Sequence, residues 1–209
     1  MLVSTQKNLE NGSTKKPTNK PMKRLSIYLF LILFTLPTPS QADDIRDFQI
    51  EGISIGDSLL TYLDKKFIKE NTDYFYSVKK YGTVSIYKSK EYDRIQFTYD
   101  TTDENFEIHG IAAVLTFHND IKGCKKKMNE VLNDVESIFG NNVDKQTGSE
   151  KRREDKTGKS IMYYNDFQFS DQSAINIYCT DWSKEITDKN NWSDELKISL
   201  YSVEFANYL

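Results

Sequence analysis

The sequence predicts an α+β domain: a mostly antiparallel sheet of about six to seven strands, one long amphipathic helix on one face and a short N-terminal helix. Three observations carry this prediction. Runs of alternating apolar and polar residues recur between turn residues, which is the period-two mark of half-buried strands. Residues 120–139 repeat their apolar positions at spacings of three and four, the mark of an amphipathic helix. The elements follow the order β-α-β-β-β-β-α-β-β-β, and strands that come in runs pair as antiparallel neighbours.

Residues 48–51 alternate and predict a short strand. Gly56 permits a tight turn, and Asp57 or Ser58 can cap the helix that follows. Leu59, Leu60 and Leu63 give that helix its apolar side, and a second short helical piece covers residues 65–70. Four strands come next. Residues 74–79 form the weakest of them. Val84 and Ile86 then alternate with Ser85 and Tyr87, and Ile95, Phe97 and Tyr99 with Arg94, Gln96 and Thr98. Residues 108–117 are apolar on both faces, as a central strand is. Gly82 and residues 100–105 supply turns.

The long helix carries Ile121, Cys124, Met128, Val131, Leu132, Val135, Ile138 and Phe139 on one stripe. Its opposite face carries Lys125, Lys127, Asn133, Asp134 and Glu136. Asn119 or Asp120 can cap its start, and Gly140 sits where a helix stops. Residues 141–160 hold a single apolar residue, Val143, and predict a long, mobile, charged loop. Three strands close the domain. Tyr163, Phe167 and Phe169 share a face of the first, Ile175, Ile177 and Cys179 of the second, and Leu196, Ile198 and Leu200 of the third.

Ahead of the domain stands an address. Residues 1–21 are polar, Met22-Lys23-Arg24 opens a basic segment, and residues 25–36 are twelve without a charge. Ser40-Gln41-Ala42 places small residues three and one before a cut. Residues 22–42 therefore predict a cleavable export signal, cut between Ala42 and Asp43. A membrane anchor is the competing reading, but twelve helical residues span about 18 Å and a bilayer core needs roughly 30 Å. No cysteine closely follows the apolar run, which argues against a lipid anchor. Residues 1–21 read as a start-site artefact or a polar extension, with Met22 the preferred start.

The full chain of 209 residues has a formal charge of −3, and its 13% aromatic content argues against disorder. A mean hydropathy of −0.63 excludes a polytopic membrane protein. Without residues 1–42 the charge is −8 over 167 residues. Such a surface disfavours nucleic acid and anionic lipid. The expected partner is thus a small molecule or an envelope protein, with no membrane anchor after cleavage.

Cys124 lies on the helix stripe and Cys179 on an apolar strand face, so both thiols point into one layer. In an oxidising compartment they are expected to bridge, closing a loop of roughly 56 residues worth about 4 kcal/mol. Two separate buried thiols are the alternative. No Cys-x-x-Cys marks a redox pair. His109 and His118 occupy one strand about 30 Å apart, with His109 on the face of Ile111 and Ala113. They cannot share a metal, and no metal or cofactor is expected. The acidic turn of Asp100, Asp103, Glu104 and Glu107 lacks calcium-loop spacing. No nucleophile elbow, phosphate loop or dinucleotide fingerprint is present, and no catalytic residue stands out. Lys151-Arg152-Arg153 is flanked by acids and reads as a solvated loop tip. Trp182 and Trp192 flank the loop before the last strand and are the candidate binding aromatics. The competing reading of the many aromatics is sheet-forming residues in an AT-rich genome, which also explains 23 Lys against 5 Arg.

The segment DFQIEGISIGDSLL at residues 47–60 resembles the mature start of a family of small exported proteins from AT-rich marine alphaproteobacteria of the Pelagibacter type. The similarity continues in Cys124 within its helix, in Cys179-Thr180-Asp181-Trp182-Ser183, and in the tail from Val203 to Leu209. It covers nearly all of residues 43–209. It implies export and pairing of the cysteines, and it brings no activity or catalytic residues. Residues 1–21 depart from that pattern. The functional expectation is an exported, periplasmic or secreted, non-enzymatic domain that binds a small molecule or an envelope partner. The alternatives are an envelope hydrolase using carboxylates and a structural domain of envelope assembly.

Overall fold

The computed structural model describes residues 44–75 and 78–209. The leader, its cut between Ala42 and Asp43, and residues 1–21 lie outside them. Eight strands form one sheet: β1 (Thr72–Asp73), β2 (Tyr81–Tyr87), β3 (Arg94–Asp100), β4 (Ile108–Phe117), β5 (Asp144–Lys151), β6 (Ile161–Gln168), β7 (Ala174–Asp181) and β8 (Asp194–Tyr201). Their spatial order is β1-β2-β3-β4-β8-β7-β6-β5, and every neighbouring pair is antiparallel. The α-helices are α1 (Lys65–Glu70), α2 (Ile121–Phe139), α3 (Lys184–Asn190) and α4 (Val203–Ala206).

The long helix forms for the predicted reasons. The Asp120 carboxylate accepts from Gly123 N–H at 2.9 Å, and Gly140 ends the helix at a positive φ of 55°. Its buried stripe is Cys124, Met128, Val131, Leu132, Val135 and Phe139, laid over β7, β8 and β4. Ile45, Phe48, Ile50, Ile53 and Ile55 complete the same layer. A disulfide joins Cys124 of α2 to Cys179 of β7 with Cα atoms 6.0 Å apart, and no cysteine is free among the described residues.

The α+β class stands, but among the described residues the strand count is eight, and α2 is not the only helix beyond the N-terminal region. Helices α3 and α4 have seven and four residues, too few to display a period, and only their serine caps, Ser183 and Ser202, announce them. The segment 141–160 is not all loop. Its residues 144–151 pair with β6 along their whole length as an edge strand. All eight side chains are exposed, so no alternation marks them; backbone hydrogen bonds hold the strand, with Lys145 paired to Glu136 and lying over the Phe167 ring. No strand covers residues 74, 75, 78 or 79; β1 lies two residues earlier. Residues 48–51 supply a single bridge, Ile50 to Ile53, in place of a strand.

His109 is also displaced from its predicted face. Thr98 pairs with Gly110 and Tyr99 with Ile108, so His109 is the extra residue of a bulge. The bulge leaves Ile108 and Ile111 both in the core and turns His109 the other way, against Tyr81 at 5.6 Å and Ser202.

The register then defines the sheet face opposite α2. Arg94, Val114, Lys197, Tyr178 and Tyr164 form one row across β3, β4, β8, β7 and β6. Thr116, Glu195, Thr180 and Met162 form the next row. On the other side of the first row lie Gln96, Ala112, Ser199 and Asn176, then Thr98, Gly110 and Tyr201. This face is polar and aromatic, and α2 leaves it uncovered.

Candidate functional site

At one end of that face, the strand ends and two connections enclose a cleft of about 410 Å³. Strand β3 contributes Arg94, the turn after β5 contributes Arg152 and Glu154, and β8 contributes Glu195. The stretches flanking α3 contribute Trp182, Trp192 and Ser193. The two candidate binding aromatics thus meet, with ring centroids 4.7 Å apart. Trp182 is 8% exposed and forms the inner wall, whereas Trp192 is 39% exposed and forms the outer one.

Each part is held in place by local chemistry. Trp182 N–H donates to the Asp194 carboxylate at 2.9 Å. Asn191, in the left-handed conformation, ends α3 and turns the chain toward Trp192. The β5–β6 turn is organised by Asp155, a buried carboxylate. It accepts from the N–H and hydroxyl of Thr157 at 2.8 and 2.6 Å, and from those of Ser160 at 2.9 and 2.7 Å. These hydroxyls, Ser160 first, hold its pKa well below the usual carboxylate range. Ser160 Oγ also accepts from Ser183 N–H at 2.9 Å, which ties the turn to the start of α3.

The guanidinium of Arg152 lies 5.4 Å above the Trp182 ring, a cation–π arrangement. Its Nη2 donates to Glu154 at 2.8 Å and its Nη1 to the Met162 sulfur at 3.1 Å. The Nε groups of Arg94 and Arg152 are both shielded from solvent and have no acceptor among the described residues. Burial pushes the Glu195 carboxyl above its ordinary pKa, against the opposing pull of Arg94, Lys197 and Arg152. The cleft therefore offers planar, partly desolvated cations beside an aromatic wall. That combination suits a carboxylate or phosphate joined to a ring.

Two serine–histidine pairs could be mistaken for catalytic machinery. His109 Nδ1 lies 3.0 Å from Ser202 Oγ and 3.8 Å from Glu204. Both partners address the same ring nitrogen, whereas a triad needs them on opposite ones. Ser202 Oγ also accepts from Phe205 N–H and is the cap of α4. His118 Nδ1 lies 3.2 Å from Ser193 Oγ at the cleft rim, but the imidazole is exposed and no carboxylate orients it among the described residues.

A larger depression of about 550 Å³ lies elsewhere and is rich in carboxylates. Three of its five acids, the aspartates, serve local structure. Asp44 caps a turn and pairs with Arg46, Asp57 accepts from Ser54 N–H and the Tyr62 hydroxyl, and Asp171 accepts from Ser173. In the acidic turn, Asp100 likewise accepts from Thr102 N–H, and Asp103 from the N–H groups of Asn105 and Glu107. Among the described residues no group of three or more His, Cys, Asp or Glu is placed to hold a metal.

Sequence reasoning named Trp182 and Trp192, missed Arg94, and assigned Arg152 to a solvated tip. The signal that could have found the arginines is rarity: the chain has five Arg against 23 Lys, and two of the five meet here. Comparison with protein-family models, with curated proteins and with solved structures finds no match to this chain.

Proposed function

We propose that this chain is exported and acts as a non-enzymatic binding domain, with a small acidic molecule held in the cleft of Arg94, Arg152, Trp182 and Trp192. The pair of arginine Nε groups carries the reading. A desolvated donor without an acceptor costs roughly 1–3 kcal/mol, and the cleft holds two. A carboxylate or phosphate in the cleft supplies the missing acceptors once the guanidinium groups turn outward toward it. Export is supported by the leader pattern of residues 22–42 and by the disulfide, a bond that persists in oxidising compartments. No helix among the described residues is long and apolar enough to cross a membrane.

The chain's two tryptophans both line the cleft, so selectively excited tryptophan emission reports on it. Native mass spectrometry of protein recovered from its own envelope is expected to retain a small acid. Re-adding that acid to stripped protein should quench the emission saturably. Arg152→Gln should weaken binding about ten- to hundred-fold, from the 1.5–3 kcal/mol of a hydrogen bond to a charged group. Ligand-free protein that co-purifies with an envelope protein would replace this reading with the envelope-partner one.

One observation favours a second reading, a hydrolase. Glu154 and Glu195 share the cleft, and burial holds Glu195 toward the protonated form that a general acid needs. The same spectra separate the two readings, because a hydrolase releases a cleaved product and a binding domain keeps its molecule intact.

A further inference from the structure

The cleft is one end of a longer groove. Beyond Arg94 lies a second depression of about 400 Å³ on the same sheet face. The register explains it: Gly110 and Ala112 of β4 are small, whereas Thr98 and Gln96 flank them on β3, and Tyr201 on β8. Phe205 closes the far end, its ring packed where a Gly110 side chain would be. Arg94 lines both depressions and joins them.

The charge of this trough is unlike that of the chain. Residues 43–209 carry −8, yet the trough is lined by Arg94 and Lys197 and, among the described residues, by no Asp or Glu. Burial keeps the Tyr201 hydroxyl protonated, so it remains a donor. Strands β3, β4 and β8, which carry most of the lining, are paired on both sides. They have no free edge with which to capture a peptide as an added strand. Recognition here must come from side chains, which include the amides and hydroxyls of Gln96, Thr98 and Tyr201 in the trough and of Asn191 and Ser193 in the cleft, where Glu154 and Glu195 stand beside them. From Gly110 to Thr116 along β4 the groove runs about 20 Å at 3.3 Å per residue, which is more than a single ring occupies.

We propose that the trough is a second subsite and that the ligand is an acidic oligosaccharide, with a sugar ring on Trp192 and a carboxylate between Arg94 and Lys197. This rests on the cleft reading and extends it. The apolar C–H face of a sugar ring suits the exposed indole, its hydroxyls suit the amide and hydroxyl walls, and its carboxylate suits the cation pair.

Tetragalacturonate, its fully methyl-esterified and hence neutral form, and monomeric galacturonate serve as probes of the oxidised protein, read by tryptophan emission and calorimetry. The acidic tetramer is expected to bind at least tenfold more tightly than either the neutral tetramer or the monomer. Arg94→Gln and Lys197→Gln should each erase that preference for acid, weakening the acidic tetramer at least tenfold more than the neutral one. Trp192→Phe should weaken all three probes. Should Arg94→Gln fail to fold, as its melting curve would reveal, Lys197→Gln carries the test. Equal affinity for acidic and neutral tetramers overturns the anionic subsite while leaving the cleft reading intact. Equal affinity for acidic tetramer and monomer overturns the extended groove. No response to any probe, from a protein that retains a different small acid from its envelope, overturns the saccharide alone. No response together with no retained acid overturns both.

Discussion

Asp155 is buried and ionised, and its pKa lies below the ordinary value because four donors address its carboxylate. An acid whose folded pKa is depressed contributes stability that is fully present above its unfolded pKa, near 3.9. That contribution is lost as pH falls through the unfolded value toward the folded one. Asp155→Asn should therefore lower the Tm at pH 7, and the deficit should shrink as melts are repeated toward pH 3. A deficit independent of pH would mean that the charge does not organise the turn. The residue illustrates why the site was only half legible in the sequence. Composition places Asp155 in a charged run, where a solvated tip is the default. Only the fold brings Thr157, Ser160 and Ser183 around it. Arg94 was visible as the outward residue of an alternating strand, but alternation reveals a face and not the neighbours across it. Trp182 and Trp192 were easier to name, because large aromatics beside a connection are informative without a partner.

Among the elements, β4 decides the shape of the groove. Its bulge at His109 and its Gly110 let Phe205 of α4 lie against the sheet. A Cβ at Gly110 would sit 3.0 Å from the Phe205 ring and 3.1 Å from Thr98 Cβ. Gly110→Ala should therefore cost about 1–3 kcal/mol by overpacking, measured by urea denaturation, and should loosen the trough's closed end. An unchanged midpoint would mean that α4 yields freely. Elements with a strong period were readable in advance: α2, β7 and β8 lie where their apolar stripes put them. Strand β5 was not, since an edge strand exposed on both faces has nothing to bury. Its charges still matter, because Asp144, Lys145, Glu150 and Lys151 discourage pairing with another chain.

For the molecule as a whole, the Cys124–Cys179 bridge fastens the helix layer to the sheet. It closes a loop with a sequence separation of 55, worth about 4 kcal/mol in the chain-entropy model. Reduction, or the double replacement Cys124→Ser with Cys179→Ser, should remove about that much stability in urea while leaving the native tryptophan emission unchanged, because the cleft lies on the opposite face. A loss of emission in the folded, reduced protein would couple the two faces. The bridge was legible because two independent periodicities aimed both thiols into one layer.

The strand order has a temporal consequence. Strand β8 follows every other strand in the chain, yet it lies between β4 and β7, where it joins a four-stranded ribbon to a three-stranded one. Until it arrives, β4 and β7 each have an unpaired edge, and Glu195 and Lys197 are missing from the groove. A nascent chain of this topology cannot complete its sheet piecemeal as it emerges. Its sheet closes from the middle once that final strand is free.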